Sequence, residues 1–549
     1  MRLPAMRCAG QVRGRSGWWL RFSGCSRQMS VAARGVPHLI GGEWVHATPA
    51  RPGQQPHHNE LHSSLFSQRM SPINGELVAL VPKEAGSDTV HRAVEAADAA
   101  FSHWSRLAAS KRAQYLFALR DKVAANVDHI AASISRELGK TPADARGDVV
   151  RGLEVLEFAT ACVPLLSGRA LPNFASGIDV MQHREPLGVC LAVAPFNFPA
   201  MIPLWVFPLA IACGNTVILK PSELVPGAST ILGELCESIQ LPAGVLNIVQ
   251  GGRETVQALI KHPRVQSLSF VGSTPAGTEL YRTATQHGKR AQCNLGAKNH
   301  AVLMPDCDSE LALNSLVGAA FGACGQRCMA VSVAVLVGEA RALLDPLCDR
   351  VRALKIGTGD QADFGPLVTQ AAKSRIEQVL ASVEPQGGRL LVDGRKNEQL
   401  VQLPSAGNWL GPSIAAEVRP GMRVYDEEVF GPVLSVLCVD TLDEALQLIN
   451  ANAYGNGASI FTASGAHASH FQAQVKAGQV GINVPIPLGP PAVSFTGSRG
   501  SFLGDLPFYG ASGVEFFTRP KNIISRWPVP SEAPAQSHAN MMNIPTATS

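Results

Sequence analysis

Charged residues are scarce in this 549-residue chain: Asp, Glu, Lys and Arg make up 16% of it, against 46% hydrophobic residues. Acidic residues are absent before Glu43, whereas seven arginines precede it. Subtracting those seven charges from the formal net charge of +4 leaves −3 for the rest of the chain. A chain of this length and hydrophobicity can bury a large core. Its charge balance gives no reason to expect nucleic acid as a partner.

The acid-free N-terminal stretch predicts a targeting segment. Its arginines alternate with serines and with Trp18, Trp19, Leu20 and Phe22, as in an amphipathic mitochondrial presequence. We therefore expect residues 1–35 to be a presequence and the mature protein to lie in the mitochondrial matrix. A plain disordered extension is the alternative.

Cysteine spacing also excludes some functions. The chain has twelve cysteines, but they are scattered and show no metal-ligand or disulfide-scaffold spacing. The N-terminal stretch lacks the long apolar run of a secretory signal, so an oxidising compartment is not expected. We predict reduced thiols and no bound metal.

Charge is absent again from Pro186 to Ile218, a length that could cross a bilayer. Pro195, Pro199 and Pro203 would break a spanning helix repeatedly. The stretch therefore predicts a buried strand, a loop and a buried helix, and we expect no membrane association.

Hydrophobic periodicity predicts an α/β protein. Apolar residues recur three and four positions apart over Val90–Trp104 and Arg112–Asn126, and a third helix should start at Thr141, a hydroxyl N-cap followed by proline. Beyond these helices, short apolar strands alternate with helices, which is typical of a parallel sheet covered on both faces. The predicted strands include Val189–Ala194, Thr216–Leu219, Val245–Val249 and Ser267–Val271, and later Leu434–Val439 and Gly457–Phe461.

Three stretches fall outside this alternation. Thr48–Ser67 is polar and rich in His and Pro, and it predicts a loop or insertion. Val514–Thr518 is strand-like but too late to complete either sheet, so it predicts an arm that reaches a neighbouring subunit. Residues 528–549 have few apolar residues and predict a disordered tail.

Five motifs, taken in order, resemble the aldehyde dehydrogenase superfamily over residues 36–527. They are Pro195–Pro199 (PFNFP), Gly214–Glu223 (GNTVILKPSE), Gly272–Gly277 (GSTPAG), Gly325–Cys328 (GQRC) and Glu428–Val433 (EVFGPV). The resemblance implies an NAD-binding Rossmann-like domain at 36–166 and 187–298, and an α/β catalytic domain at 299–484. It also implies an oligomerisation arm at 167–186 and 485–527, a dimer or tetramer, and a small-molecule substrate.

Cys328 matches the nucleophile of that family, whose thiolate adds to an aldehyde and makes a tetrahedral centre. Asn197 resembles the oxyanion-hole amide, which would share the aldehyde oxygen with the backbone N–H of Cys328. A lone cysteine is more often an inert buried thiol, and this is our interpretation of Cys324. The alternative for Asn197 is a turn cap.

The resemblance also implies the cofactor contacts. Lys220 and Glu223 resemble a ribose-binding pair, and the Glu223 carboxylate favours NAD over NADP because it repels a 2′-phosphate. Leu224 follows where the family pattern suggests Arg. A surface ion pair is the alternative for Lys220 and Glu223. The other expected contacts are the nicotinamide ribose at Glu428 and Phe430, the pyrophosphate at Ser273, and backbone or packing contacts at Ala194 and Phe196.

A Gly-rich turn before a helix, such as Gly272–Gly277, can bind phosphate at the helix N-terminus. Such turns also use glycine for geometry alone, so the residues themselves leave both readings open.

Asn294 departs from the hydrolytic members, in which a glutamate at this position activates water. Asn cannot accept a proton at neutral pH, so a second thiol is the expected acyl acceptor. The run Asn294–His300, with Gly325–Ala330 and Val484–Pro487, is similar to the methylmalonate-semialdehyde dehydrogenase family. The resemblance implies NAD-dependent oxidative decarboxylation of a semialdehyde, with coenzyme A as co-substrate.

That family handles a semialdehyde that bears a carboxylate, for which it uses two arginines. One matches Arg327; the other matches Arg151, on the likeness of its helical segment alone. Two guanidinium groups would bind a carboxylate through charge-assisted hydrogen bonds, although a solvated or ion-paired surface group is the usual fate of arginine. A hydrolytic aldehyde dehydrogenase with another base, and a catalytically silent member of the fold, are the alternatives.

Overall fold

The computed structural model describes residues 35–46, 65–175 and 177–527. The predicted presequence, apart from Gly35, and the predicted tail at 528–549 lie outside the described residues. Most of the Thr48–Ser67 stretch does so too. Its end was wrongly included in the predicted loop, because Phe66 already begins a strand.

Strands and helices alternate through most of the described chain. The strands are β1 (His38–Ile40), β2 (Glu43–Val45), β3 (Phe66–Met70), β4 (Leu77–Pro82), β5 (Arg169–Ala175), β6 (Ile178–Pro186), β7 (Val189–Val193), β8 (Thr216–Lys220), β9 (Leu246–Ile248), β10 (Val265–Val271), β11 (Arg290–Asn294), β12 (Asn299–Leu303), β13 (Val331–Val337), β14 (Arg389–Val392), β15 (Ser413–Ala416), β16 (Val433–Val439), β17 (Tyr454–Gly455), β18 (Gly457–Phe461), β19 (Gln479–Ile482), β20 (Ser498–Arg499), β21 (Phe502–Leu503) and β22 (Thr518–Arg526). The helices are α1 (Ser87–Trp104), α2 (Ala109–Ala125), α3 (Val127–Leu138), α4 (Pro142–Thr160), α5 (Met201–Ala212), α6 (Gly227–Ser238), α7 (Arg253–Lys261), α8 (Thr274–Gln286), α9 (Ser309–Phe321), α10 (Leu344–Arg352), α11 (Gln370–Ala381), α12 (Arg423–Asp426), α13 (Leu442–Ala451), α14 (Gly465–Gln474) and α15 (Gly510–Phe516).

The first sheet has eight strands in the order β2-β1-β9-β8-β7-β10-β11-β21, and β7 to β11 run parallel. Side chains of β7 alternate between its two faces. Cys190 and Ala192 join the core that contains residues of α2 to α6, whereas Val189, Leu191 and Val193 join the core that contains residues of α1, α7 and α8. Both faces are therefore covered, which explains the unbroken apolar strands in the sequence.

The second sheet has seven strands in the order β14-β15-β16-β13-β12-β18-β19, parallel except for the edge strand β14. All of its strands come from residues 299–484, whereas residues 36–298 supply seven of the eight strands of the first sheet. The segment Asn294–Asn299 runs directly from β11 to β12 and so joins the two sheets. The roles predicted for the two units, cofactor binding and catalysis, stay predictions.

A third, three-stranded antiparallel sheet has the order β22-β6-β5. Its register places Leu171, Val180 and Ile524 opposite one another in a single row across the three strands. Leu171 is 55% exposed and Ile524 69% exposed. Of the predicted arm segment 485–527, this sheet takes only β22, because β20 pairs with β17 and β21 joins the first sheet.

The strand predicted at Val514–Thr518 is wrong over most of its length, because α15 extends through Phe516 and β22 begins only at Thr518. Small residues bring this helix against α5: a Cβ atom on Gly513 would lie 2.6 Å from Leu209 Cδ2. That contact is between segments far apart in sequence, so the local alternation could not reveal it.

The uncharged stretch folds as predicted, into β7, a loop and α5, and then continues into β8. Every residue of α5 is buried, including Pro208 within the helix. Among the described residues, no helix combines the length and the hydrophobicity that crossing a bilayer would require.

Candidate active site

Cys328 lies in the loop between α9 and β13, just after a left-handed turn. Ala323, Cys324 and Gly325 have φ angles of 51°, 58° and 67°. A Cβ atom on Gly325 would lie 2.1 Å from the carbonyl oxygen of Gly431, so a larger residue does not fit there. The GQRC motif thus needs its glycine for the turn that presents Cys328.

The main chain at Cys328 is held from the second sheet. Its carbonyl oxygen accepts hydrogen bonds from Asn299 Nδ2 at 2.9 Å and from Asn456 Nδ2 at 3.0 Å. Two residues before Cys328, the Gln326 Oε1 atom accepts a hydrogen bond from the Val368 N–H at 3.0 Å. Segments far apart in sequence therefore fix the loop that carries the predicted nucleophile.

The electrostatic surroundings disfavour the Cys328 thiolate. Burial, and after it the Glu428 carboxylate, raise the pKa of the Cys328 thiol to about 12; Arg327 opposes them more weakly. Burial also raises the pKa of Glu428 to about 7, although its Oε1 accepts a hydrogen bond from the Ala297 N–H at 2.9 Å. In this arrangement the thiol is protonated at neutral pH, so its activation requires a change at the site. Burial also raises the pKa of Cys324, which suits an inert thiol.

Asn197 lies against the nucleophile loop, in the turn that precedes α5. Its Nδ2 atom donates to the carbonyl oxygen of Gln326 at 3.0 Å, and its side chain is buried. An amide nitrogen carries two hydrogens, so one remains for a substrate oxygen. This geometry is compatible with the oxyanion role predicted for Asn197.

Arg327 is already paired with a carboxylate, that of Asp144, in this structure. Its guanidinium forms an ion pair with Asp144 in the first turn of α4. The second oxygen of Asp144 accepts a hydrogen bond from the Ala323 N–H at 3.0 Å. Asp144 therefore holds both the arginine beside the nucleophile and the left-handed turn before it.

Arg151 lies on the same helix, α4. It forms an ion pair with Glu154 and donates to the carbonyl oxygen of Gly489 at 2.7 Å. Tyr509 interacts electrostatically with both Arg151 and the predicted nucleophile, Cys328. Burial raises the pKa of the Tyr509 phenol; Arg151 lowers that pKa, and Cys328 raises it. Both groups are therefore within electrostatic reach of one phenol, which is compatible with the place near Cys328 that the resemblance implied for Arg151.

Lys220 and Glu223 meet at the carboxyl end of β8. Lys220 Nζ donates to Glu223 Oε2 at 3.3 Å and to the carbonyl oxygen of Gly251 at 3.2 Å. Burial, the largest single influence, acts to raise the pKa of Glu223, but Lys220, a backbone hydrogen bond and Arg69 together hold that pKa below its usual range. Arg69, from β3, thus brings a guanidinium within electrostatic reach of Glu223.

The glycines of the GSTPAG turn have a packing role. A Cβ atom on Gly272 would lie 2.6 Å from the Phe270 ring, and one on Gly277 would lie 2.1 Å from Leu295 Cδ2. Ser273 is the N-cap of α8, and its side chain makes no capping hydrogen bond. The geometric reading of this motif therefore holds, and the uncapped helix N-terminus also suits an anion.

The nicotinamide side of the predicted cofactor site lies between the two sheets. Phe196 follows β7, Phe430 precedes β16, and their rings pack edge to face with centroids 5.8 Å apart. Phe430 has a left-handed φ of 52°. Ala194 is tied to β8, since its N–H donates to the carbonyl oxygen of Lys220 at 3.0 Å.

Asn294, at the end of β11, is 4% exposed, and neither atom of its side-chain amide has a hydrogen-bond partner among the described residues. Its carbonyl oxygen accepts from the Gly272 N–H at 3.1 Å, so this orphaned amide lies next to the glycine turn. A buried amide without a partner suits a site that a ligand completes. Together with the open N-terminus of α8, it fits the binding of a dinucleotide here.

Comparison with known proteins decides the family. The family model described as "Aldehyde dehydrogenase family" matches residues 62–523. The chain belongs to the aldehyde dehydrogenase family. The family and the α/β fold predicted from the five motifs are thereby confirmed.

Relatives within the aldehyde dehydrogenases point to one branch. A Homo sapiens protein named methylmalonate-semialdehyde/malonate-semialdehyde dehydrogenase, acylating, mitochondrial, is 47% identical over 529 residues, covering 96% of this chain and 95% of that protein. An Arabidopsis thaliana protein named methylmalonate-semialdehyde dehydrogenase, acylating, mitochondrial, is 45% identical and covers 93% of this chain, with 82% of its own length matched. The predicted similarity to this branch of dehydrogenases is confirmed.

Solved aldehyde dehydrogenase structures agree. The crystal structure of a methylmalonate-semialdehyde dehydrogenase from Oceanimonas doudoroffii superposes with a TM-score of 0.85 at 40% identity, covering 90% of this chain and 99% of that one. A Sinorhizobium meliloti protein described as a candidate enzyme of the same name, solved in complex with NAD, gives a TM-score of 0.86 at 41% identity, with 90% and 98% coverage.

Four residues near this aldehyde dehydrogenase site were missed in the sequence: Arg69, Asp144, Asn456 and Tyr509. Asp144 stands in the first turn of a predicted helix, where an acidic residue is common because it complements the helix dipole. Because this ordinary role explains an acidic residue at position 144, nothing in the sequence indicated its ion pair with Arg327. The other three reach the site through long-range contacts, for which no spacing signal exists.

Proposed function

We propose that this enzyme oxidises and decarboxylates methylmalonate semialdehyde to propionyl-CoA, and malonate semialdehyde to acetyl-CoA, with NAD and coenzyme A. The observation that carries the proposal is the pairing of a retained Cys328 with a buried Asn294 in place of the hydrolytic glutamate. The names of the relatives support the same reaction. Asn294 argues against water as the acyl acceptor, and Cys328 with Asn197 argues against a catalytically silent protein.

The first chemical step belongs to Cys328. Its sulfur forms a bond to the aldehyde carbon, and the carbonyl electron pair moves to oxygen. The Asn197 Nδ2–H and the backbone N–H of Cys328 would hold that oxyanion. Hydride would leave the same carbon, and bound NAD would supply the acceptor for it. An acyl thioester on Cys328 remains.

NAD would be held by residues that come from both halves of the chain. Lys220 and Glu223 would bind the adenosine ribose, and Glu428 with Phe430 the nicotinamide ribose. Ser273, at the uncapped start of α8, would meet the pyrophosphate. Ala194 and Phe196 would pack beside them.

Decarboxylation follows from the position of the carboxylate, which is β to the thioester carbonyl. The carbon–carbon bond breaks, CO₂ leaves, and the electron pair forms an enolate that the donors of the oxyanion site would stabilise before it is protonated. The thiolate of coenzyme A then attacks the thioester, and Cys328 leaves as a thiolate. This exchange needs no strong base, which is consistent with Asn294.

Substrate recognition would rest on Arg151 and Arg327. A semialdehyde carboxylate next to the reacting carbon needs cationic donors beside Cys328. Arg327 immediately precedes Cys328 in the chain. Arg151 lies within electrostatic reach of Tyr509, and so does Cys328. Because Asp144 already occupies Arg327, the substrate carboxylate would join or displace that ion pair.

The proposal extends to assembly and location. The apolar row of exposed Leu171, half-buried Val180 and exposed Ile524 on the three-stranded sheet suits burial against another copy of the chain, as a dimer or tetramer. The arginine-rich N-terminal sequence and the mitochondrial names of relatives support import into the mitochondrial matrix.

A product-resolved assay tests the reaction. NADH formation from methylmalonate semialdehyde is followed with and without coenzyme A, while CO₂ and the thioester are quantified. We expect turnover to depend on coenzyme A and to give one thioester and one CO₂ for each NADH. Unchanged turnover without coenzyme A, with free acid as product, would identify the hydrolytic alternative, and full activity in Cys328→Ala would overturn the mechanism.

A further inference from the structure

Three metal-ligand side chains meet outside the active site, where α1 packs beside α7. His91 and Glu95 lie one turn apart on α1, and His262 follows the last residue of α7. The ligand atoms of the three side chains all lie within 4.8 Å of one another. None of them belongs to the motifs that carry the dehydrogenase reaction.

The spacing of the two imidazoles matches a metal polyhedron. His91 Nδ1 and His262 Nε2 are 3.4 Å apart. Two nitrogen ligands of a tetrahedral Zn²⁺ ion at bond lengths of roughly 2.0–2.1 Å stand about 3.3–3.4 Å apart. A hydrogen bond joins the two nitrogens in this structure, so one ion would bind both in its place. Glu95 supplies an oxygen ligand near them.

We propose that His91, Glu95 and His262 form a site for a divalent transition-metal ion, with Zn²⁺ the best match, completed by one water molecule. Two imidazoles and one carboxylate are ligands that Zn²⁺ accepts readily. The ion would connect α1 to α7, both of which contribute to the same face of the first sheet.

The surrounding charges leave the site usable. Arg264 contacts Glu95 at 3.2 Å but also forms an ion pair with Asp98 at 2.5 Å, so it keeps a partner when Glu95 binds a metal. Lys289 donates to the backbone carbonyl oxygens of His262 and Val265 rather than to a ligand atom.

Metal titration of the whole enzyme tests the site. The protein is stripped with EDTA, desalted and titrated with Co²⁺ by absorption spectroscopy and with Zn²⁺ by thermal melting. We expect one ion per chain at this site, a higher melting temperature with Zn²⁺, and a fall in affinity of about tenfold or more in His262→Gln, since changes in the outer shell of metal sites alone cost about 10–100-fold. His129→Gln, an exposed histidine on α3, is the control and should bind as the parent does.

The chemistry of the ligands separates this site from the cysteines. Co²⁺ held by nitrogen and oxygen gives visible d–d bands without the intense near-ultraviolet charge-transfer band of a thiolate ligand. His91 is exposed, so His91→Gln should fold and show the same loss of binding. Undiminished binding in both histidine variants, or a thiolate band that accounts for all bound Co²⁺, would overturn the proposal. Neither readout involves turnover, so the result is independent of the proposed reaction.

Discussion

The Glu428 carboxylate adds to the influences that disfavour the thiolate of the predicted nucleophile, Cys328. Glu428 lies close enough to Cys328 to help raise the pKa of its thiol, although burial is the larger cause. Glu428, which is expected to hold the nicotinamide ribose, thus also disfavours the Cys328 thiolate. A ligand that engages Glu428 would weaken that opposition, which would couple cofactor binding to activation of Cys328.

Glu428→Gln should lower the pKa of the Cys328 thiol, because it removes the negative charge while its amide oxygen can still accept from the Ala297 N–H. The measurement is the pH dependence of Cys328 alkylation by iodoacetamide without NAD, read from the Cys328 peptide by mass spectrometry. We expect the alkylation profile to move to lower pH. Glu427→Gln, at a neighbouring residue paired with Arg423, is the control; identical profiles in all three proteins would refute the coupling.

Arg327→Gln should raise the KM for methylmalonate semialdehyde far more than the KM for propanal. Loss of a charge-assisted hydrogen bond costs about 1.5–3 kcal/mol, which is roughly a 10- to 150-fold change. Asp144→Asn breaks the same ion pair but keeps the cation, so its KM for the semialdehyde should stay within about threefold of the parent value. Equal effects of both variants on both aldehydes would mean that the ion pair acts only on folding.

At the scale of elements, the sequence predicted what local periodicity controls. The helices near Val90, Arg112 and Thr141 and the six strands given bounds in the two alternating regions formed within a few residues of those bounds, because side-chain spacing along one element decides which face is buried. The strand predicted at Val514–Thr518 is wrong because Gly513 packs against Leu209, which lies roughly three hundred residues earlier in the chain. The motifs located Cys328 and Asn197, whereas Asp144 and Tyr509 emerged only from tertiary contacts.

Gly325→Ala should abolish activity and lower the melting temperature. The substitution places a Cβ atom 2.1 Å from the Gly431 carbonyl oxygen in a residue with φ of 67°, so the turn before Cys328 must move. Gly147→Ala is the matched control, since it lies within α4 with no atom near the added methyl group, and should stabilise the protein by about 0.5–1 kcal/mol. Thermal melting and steady-state turnover measure both; a fully active Gly325→Ala enzyme would contradict the argument.

Glu137 gives the contact between α3 and α6 a pH dependence. It accepts a hydrogen bond from the Gly227 N–H at 2.9 Å, yet burial raises its pKa from 4.5 to about 7. Between these two pH values the folded state holds a proton that the unfolded state releases, so stability falls as the pH rises. Glu137→Gln should therefore stabilise the protein at pH 8, by at most about 3 kcal/mol, and have little effect at pH 4.5. Urea unfolding at both pH values checks this, and an equal effect at the two would contradict it.

At the scale of the whole molecule, the three-stranded sheet is the surface on which assembly would depend. Ile524→Glu places a charge in the row that Leu171 and Val180 share with it, so we expect dissociation into smaller species. Light scattering coupled to size-exclusion chromatography measures the mass. Val401→Glu is the control, because Val401 is 90% exposed and lies outside this sheet. An unchanged mass in Ile524→Glu would place the subunit contact elsewhere.

The two asparagines that hold the Cys328 carbonyl restrict how the Cys328 thiol can move between its successive reaction partners. With its main chain tied by Asn299 and Asn456, the residue keeps rotation about its Cα–Cβ bond as its principal freedom. That torsion has three staggered wells. The Cys328 side chain can then face the aldehyde, move away during hydride transfer and make room for the incoming thiol by changing its rotamer. Such changes are faster than any rearrangement of the loop.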